Sequence, residues 1–249
     1  MNAKLPSLQD SFYEPTQNQM GYMITQIDEI GHAFLTFAAS ATSPVLDIGA
    51  AYGHIVLEAA EREIAIVAND LDQRHLDDLL KRANAQQRQY IRPLLGRFPE
   101  ELSFEENTLG AILICRVLHF FPPEDWINAV KVMFRWLMPG GKLFMTNESP
   151  YFGTMRKFIP VYLERKRKGY PWPGLMMGME YFDAQRKQDV NSVINLLSLQ
   201  ETKAVLEEVG FQIEDIKYLN REGIYPPDAL YDGREAVGVI AVKPKVSFL

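Results

Sequence analysis

Val45-Leu46-Asp47-Ile48-Gly49-Ala50-Ala51-Tyr52-Gly53-His54 decides the reading of this chain. A short apolar strand carrying an aspartate runs into a glycine turn, and Ile55-Val56-Leu57-Glu58-Ala59-Ala60 then opens a helix. Strand, tight turn and helix N-terminus in that order make a nucleotide site. Glycine lets backbone amides approach a ligand that a Cβ would hold off. The helix start adds orphan N–H donors and a partial positive charge. Spacing selects the nucleotide. A dinucleotide fingerprint needs glycines spaced G-x-G-x-x-G. Counted from Gly49, two of those places are held by Ala51 and His54. The segment reads D-x-G-x-A-x-G, which disfavours a nicotinamide-dependent oxidoreductase.

Outward from this turn, strands and helices alternate. Val45–Ile48 reads as a first strand followed by the helix Ile55–Glu63, and Ile64–Asn69 as a second followed by Arg74–Ala85. Tyr90–Leu95 is a third strand. Leu109–Cys115 is a fourth, followed by the helix Trp126–Leu137, and Gly141–Thr146 is a fifth, after the turn Pro139-Gly140-Gly141. Such a repeat predicts a parallel sheet with helices on both faces. Pro93 suits an edge strand, which is where the third strand lies in a doubly wound 3-2-1-4-5 order. Leu199–Val209 is a helix stopped by Gly210, and Phe211–Tyr218 and Val237–Val242 are the last two strands. A further helix is expected around Tyr22–Ala39.

D-x-G-x-A-x-G resembles the first motif of the class I S-adenosylmethionine-dependent methyltransferases, D/E-x-G-x-G-x-G, with Ala51 in place of the central glycine. Leu137-Met138-Pro139-Gly140-Gly141-Lys142-Leu143 resembles the L-x-P-G-G turn before that family's fifth strand. The run from Leu199 to Gly210-Phe211 resembles its late helix and G-F junction, and Val237–Lys243 its closing strand. Matching elements span residues 45–147 and 199–243. The resemblance implies an α/β fold: a doubly wound, seven-stranded, mostly parallel sheet in the order 3-2-1-4-5-7-6, the last strand antiparallel, with helices on both faces. A single methyltransferase domain over 1–249 follows, with an N-terminal helical cap (1–40), a cofactor-binding half (41–147), a substrate-lid insertion (148–195) and the C-terminal part of the sheet (196–249). It also implies S-adenosylmethionine as cofactor and methyl transfer by in-line displacement to a small-molecule acceptor.

Composition narrows the classes. The chain has 249 residues, 47% hydrophobic and 23% charged, and a net charge of −6, which argues against a nucleic-acid binder. No run approaches the length of a membrane span. The first residues, MNAKLPSLQDSFYEP, have neither the apolar core nor the cleavage site of a secretory signal, so a cytoplasmic protein is expected. The single cysteine, Cys115, excludes an intramolecular disulfide and a cysteine-based metal cluster; in its apolar run it reads as a packed thiol. His32, His54 and His75 lack metal-ligand spacing, so no metal site is expected.

Site residues follow from the ends of the strands, beyond which ligands sit in open α/β sheets. Asp70, at the end of the second strand, can accept from both ribose hydroxyls, with Leu71 beside it; the alternative is a helix N-cap, for which Asp72 competes. The resemblance assigns Asp47 to the methionine end of the cofactor, against the plainer reading of a satisfied strand-end carboxylate. After the third strand the family often has an acid for the adenine amino group. Here Gly96-Arg97-Phe98-Pro99 offers none before Glu100. Arg97 cannot accept a hydrogen bond, and Phe98 either stacks on the base or packs in the core. The loop Arg116-Val117-Leu118-His119 would lie beside the reactive sulfonium. It lacks the [D/N]-P-P-[Y/F] of enzymes that methylate DNA adenine or protein glutamine, and is closer to the V-L-H loop of small-molecule enzymes. His119 is a candidate general base, or else simply holds the loop. Glu148, after the fifth strand, is the second candidate base.

The insertion is rich in aromatic residues: Tyr151, Phe152, Phe158, Tyr162, Tyr170, Trp172, Tyr181 and Phe182. Met155, Met176, Met177 and Met179 accompany them, as does the basic run Arg165-Lys166-Arg167-Lys168. A packed flap with a solvated charged face, a lid over an apolar or anionic substrate, and a membrane-docking surface are the three readings. The lid is preferred. The rival to an enzyme is a non-catalytic module that keeps the fold and acts through a protein partner.

Overall fold

Residues 13–18, 20–177 and 193–245 are described by the computed structural model. The chain opens with a hairpin of β1 (Tyr13–Pro15) and β2 (Tyr22–Ile24), followed by α1 (Glu29–Ala38). Then come β3 (Val45–Ile48), α2 (His54–Glu61), β4 (Ile66–Asp70), α3 (Gln73–Arg82), β5 (Ile91–Leu95), β6 (Leu109–Cys115), α4 (Pro123–Trp136) and β7 (Leu137–Glu148). The insertion carries α5 (Ile159–Arg167), β8 (Leu175–Met177) and β9 (Val193–Asn195), and the chain closes with α6 (Leu199–Val209), β10 (Gln212–Leu219) and β11 (Ala236–Val242).

The main sheet runs β10-β11-β7-β6-β3-β4-β5, which is the expected strand order. β3, β4, β6 and β7 pair in parallel, and β11 is antiparallel to both of its neighbours. β3 and β4 are buried along their whole length, because helices cover both faces and leave no polar side for alternation to serve. β5 is the exposed edge that Pro93 requires, pairing only with β4. One face packs Trp126, Met133, Trp136, Leu206 and Phe211 against the central strands. The other packs Ile30, Phe34, Leu35, Val56 and Leu79. With core on both faces, the free space lies beyond the carboxyl ends of the parallel strands.

Two elements differ from the sequence reading. The helix expected from Tyr22 begins only at Glu29, because the Asp28 side chain accepts from the Gly31 N–H (3.0 Å) and caps it there. Tyr22–Ile24 pairs instead with Tyr13–Pro15. The fifth strand begins at Leu137 and takes in Pro139-Gly140-Gly141, with Gly140 at φ +85° where the pairing with β6 shifts register.

In the insertion, Tyr151, Phe158, Tyr162, Met176, Ile194 and Leu196 form a small core of their own. Met179, Tyr181 and Phe182 lie outside the described residues. Each cation of the basic run has a partner within the fold, and two carboxylates offset half of its charge. Arg165 donates to the Leu175 carbonyl (2.6 Å), Lys166 pairs with Glu201 (3.2 Å), and Arg167 and Lys168 both pair with Glu164 (2.7 and 3.3 Å). Four cations so occupied make a weak anionic-membrane anchor. Among the described residues, no helix is long and apolar enough to cross a membrane.

Candidate active site

A cavity of about 570 Å³ opens beyond the carboxyl ends of β3, β4, β6 and β7. One end is lined by the glycine turn, Asp47, Asp70, Leu71, Arg97 and Phe98, and the other by Arg116, His119, Glu148 and Arg221. The β1–β2 hairpin, whose second strand was expected to begin a helix, lines it as well, through Met20, Tyr22 and Ile24.

In the turn, Gly49 and Gly53 take left-handed conformations (φ +72° and +73°), and a Cβ on Gly49 would lie 2.5 Å from Val117 Cγ2. Ala51 takes the same left-handed region at φ +46°. There the family's glycine would be free of the strain that a Cβ brings, about 1–2 kcal/mol. The Ala51 N–H is nevertheless satisfied, because it donates to Asp70 Oδ2 (2.9 Å).

Asp70 is buried, and Oδ1 accepts from the Asp72 N–H (2.9 Å) and meets His75 Nδ1 at 3.0 Å. The N-cap duty falls to Asp72, which accepts from the Arg74 N–H (2.9 Å), and Asp70 is left facing the cavity. His75 was read from the sequence only as a residue near a helix start. Its Nε2 accepts from the Gln17 N–H (3.0 Å), so Nδ1 carries the hydrogen and donates to Asp70. The hairpin is thereby tied to the acid at the end of β4. Tyr52 Oη donating to the Pro15 carbonyl (2.7 Å) and the Arg82–Glu14 ion pair (2.8 Å) hold it in the same place.

Asp47, buried beside Asp70, has its carboxyl pushed up to about 7, by burial first and then by the negative charge of Asp70. Two buried acids opening on one cavity favour a cationic ligand and oppose a pyrophosphate. The residues present therefore fit the sulfonium and ammonium of S-adenosylmethionine better than a dinucleotide. At the adenine side Arg97 is exposed and its N–H donates to Glu101 Oε2 (2.7 Å). Phe98 packs on Phe121 and Trp136 (ring centroids 6.3 and 5.9 Å), as its core reading has it, and also borders the cavity. Leu71, 41% exposed, sits on the rim.

At the other end Arg116, at φ +61°, donates its N–H to the Thr146 carbonyl (2.7 Å) and places Nε 3.0 Å from Glu148 Oε1. The same Oε1 accepts from Tyr225 Oη (2.6 Å). The Tyr225 ring lies under both Arg116 and Arg221 (5.4 and 5.7 Å), and Arg221 pairs with Asp28 (2.9 Å). Tyr225, Arg221 and Asp28 were invisible to sequence reasoning, since they stand in loops without motif or periodicity. Of the two readings of His119, its surroundings favour the one in which it holds the loop. Burial, and then the positive charge of Arg116, lower its imidazole to about 3 despite a hydrogen bond with Asn147, so it is a neutral and feeble base at ordinary pH. Burial and the charges of Asp28 and Asp47 push the Cys115 thiol up, in keeping with an inert role.

Residues 45–141 match the family model described as a methyltransferase domain. No curated protein sequence matches the chain. Among solved structures, a SAM-dependent methyltransferase from Methanosarcina mazei aligns with TM-score 0.63 and 17% identity, over 88% of this chain and 99% of its own. A Burkholderia thailandensis 1,6-didemethyltoxoflavin-N1-methyltransferase, with its substrate and S-adenosylhomocysteine bound, aligns with TM-score 0.57 and 16% identity, over 87% and 78%. A chain from the Haloferax volcanii complex of the Trm112 methyltransferase activator with a methyltransferase aligns with TM-score 0.58 and 13% identity, over 86% and 87%. The fold is that of the class I S-adenosylmethionine-dependent methyltransferases. Within this chain, the match to a methyltransferase domain covers residues 45–141.

Proposed function

We propose that the protein is an S-adenosylmethionine-dependent methyltransferase acting on a small-molecule acceptor. The observation that carries this reading is the cavity itself: Asp47 and Asp70 hold its glycine-turn end, and Glu148, Arg116 and an apolar wall from the insertion hold the other. When bound, S-adenosylmethionine supplies an electrophilic methyl group on a sulfonium. Asp70 would accept from the ribose hydroxyls, Asp47 would face the cationic methionine end, and Leu71, Arg97 and Phe98 would border the base. Phe120, Phe152, Met155 and Ile194 exclude water from the acceptor side. Displacement of this kind needs chiefly proximity and alignment, which binding supplies at large effective molarity. Any proton shed by the acceptor goes to Glu148, because His119 is held too weakly basic. The Burkholderia neighbour, which holds 1,6-didemethyltoxoflavin, supports a small acceptor.

Titration calorimetry with S-adenosylhomocysteine tests the reading, with NAD as control. Micromolar binding of the first and none of the second is the expected result; the reverse, or neither, removes it. A second reading, a module serving a protein partner, is favoured by the Haloferax neighbour, whose complex contains a methyltransferase activator. S-adenosylhomocysteine binding with no methyl transfer to any metabolite pool would move the weight to it.

A further inference from the structure

We infer that the acceptor end of the cavity is a built subsite for an uncharged, largely apolar molecule that presents an O–H or N–H to Glu148 Oε2. This inference rests on the methyltransferase reading above. Glu148 is 7% exposed, and its two oxygens are treated very differently. Oε1 takes Tyr225 Oη and lies against Arg116 Nε, whereas Oε2 is buried with no hydrogen-bond partner among the described residues. A buried carboxylate oxygen left without a donor is costly, and a ligand donor removes that cost. His119 Nδ1, on the same cavity wall, is likewise buried and without a partner among the described residues.

Charge fixes the class further. Two guanidiniums, Arg116 and Arg221, face two carboxylates, Glu148 and Asp28, so the subsite is balanced before any substrate enters. A carboxylate substrate would meet Glu148 with like charge, and each guanidinium already faces a carboxylate, although Arg221 Nε is buried without a hydrogen-bond partner among the described residues. An ammonium would stand beside the like charges of Arg116 and Arg221, both of which line the cavity. A neutral donor avoids both penalties. The body of the molecule would lie against Phe120, Phe121, Phe152, Met155, Ile194 and Leu196, a wall suited to a flat apolar ring. The basic run of the insertion, which suggested an anionic substrate, does not line this cavity.

The step balances without a further reactant. As the acceptor X–CH₃ bond forms, the C–S bonding pair leaves with sulfur as a neutral thioether, and the acceptor X–H proton passes to Glu148 Oε2. A sulfonium and a carboxylate thus become two neutral groups, and Arg116 and Arg221 face Asp28 alone until Glu148 releases the proton to solvent.

Three probes of one shape test the class: 2-naphthol, 2-naphthoate and 2-naphthylmethylammonium, titrated by calorimetry into protein saturated with S-adenosylhomocysteine. Naphthol is expected to bind at least tenfold more tightly than either ion, and Glu148→Gln to remove that advantage while the cofactor product still binds. Equal or tighter binding of an ion, no binding of any probe, or a naphthol preference that survives Glu148→Gln overturns the inference. The ranking in the wild-type protein needs no variant, so poor folding of Glu148→Gln does not shelter it. Failure of S-adenosylhomocysteine itself to bind would sink the underlying methyltransferase reading, which is a separate outcome.

Discussion

Asp70 and Glu148 are both buried carboxylates at strand ends, yet they are held in different ways. Asp70 draws its partners from Ala51, Asp72 and His75, all within one strand–helix–strand unit. Glu148 draws its partners from the loop after β6 and from Tyr225, which is 77 residues further along the chain. The cofactor end is thus assembled by local turns that any chain with this motif must form. The acceptor end is assembled by long-range packing peculiar to this chain. Common chemistry is placed by the first kind of contact and individual specificity by the second.

The contrast predicts separable defects. Asp70→Ala should have the largest effect, because it strips the acceptor from two backbone donors and His75 along with the proposed ribose contact. Affinity for S-adenosylhomocysteine should fall about 100-fold, the equivalent of roughly 3 kcal/mol. Calorimetry giving a Kd within threefold of wild type would break the assignment of this end to the cofactor. His75→Ala should weaken the same affinity about tenfold and expose the hairpin of residues 13–24 to protease, since one link between hairpin and Asp70 is gone. An unchanged digestion pattern with and without ligand would mean that the tie does nothing. Tyr225→Phe probes the opposite end: turnover should drop roughly tenfold while cofactor affinity stays the same, as expected for one lost charge-assisted hydrogen bond. A parallel fall in cofactor binding would show that the two ends are not independent.

Asp47 gives a pH test. Its folded carboxyl, raised from 3.8 to about 7, keeps a proton that the unfolded chain has already shed across that interval. The contribution of this group to stability therefore falls as pH rises from about 4 to 7. Asp47→Asn should accordingly gain Tm over wild type at pH 8, by roughly 5 °C, and little at pH 4. Scanning calorimetry at both pH values decides it, and a difference independent of pH would contradict the shift. The smallest effect belongs to Ala51→Gly. Relief at φ +46° is offset by the added freedom of glycine in the unfolded chain, so stability should change by under about 1 kcal/mol. Denaturant titration showing a larger loss would mean that the Ala51 methyl packs usefully.

What the sequence by itself determined was the sheet and the residues at the end of the cavity proposed for the cofactor. The alternation of strands and helices, the Pro93 edge and the stop at Gly210 follow from local rules (apolar runs, glycine in left-handed turns, and proline's missing donor), while the full strand order came with the resemblance to the methyltransferase family. Asp47, Asp70 and the glycine turn were legible for the same reason, as motif and spacing lie within a few residues of one another. Tertiary structure decided the rest. Only packing could show that Tyr22–Ile24 joins a hairpin over the cavity, that His75 links this hairpin to Asp70, or that burial, and then Arg116, lowers the basicity of His119. Only packing could bring Tyr225 and Arg221 to Glu148. Hydrogen bonds and fields depend on distance in space, and no linear pattern encodes the distance between loops that the folded sheet alone brings together.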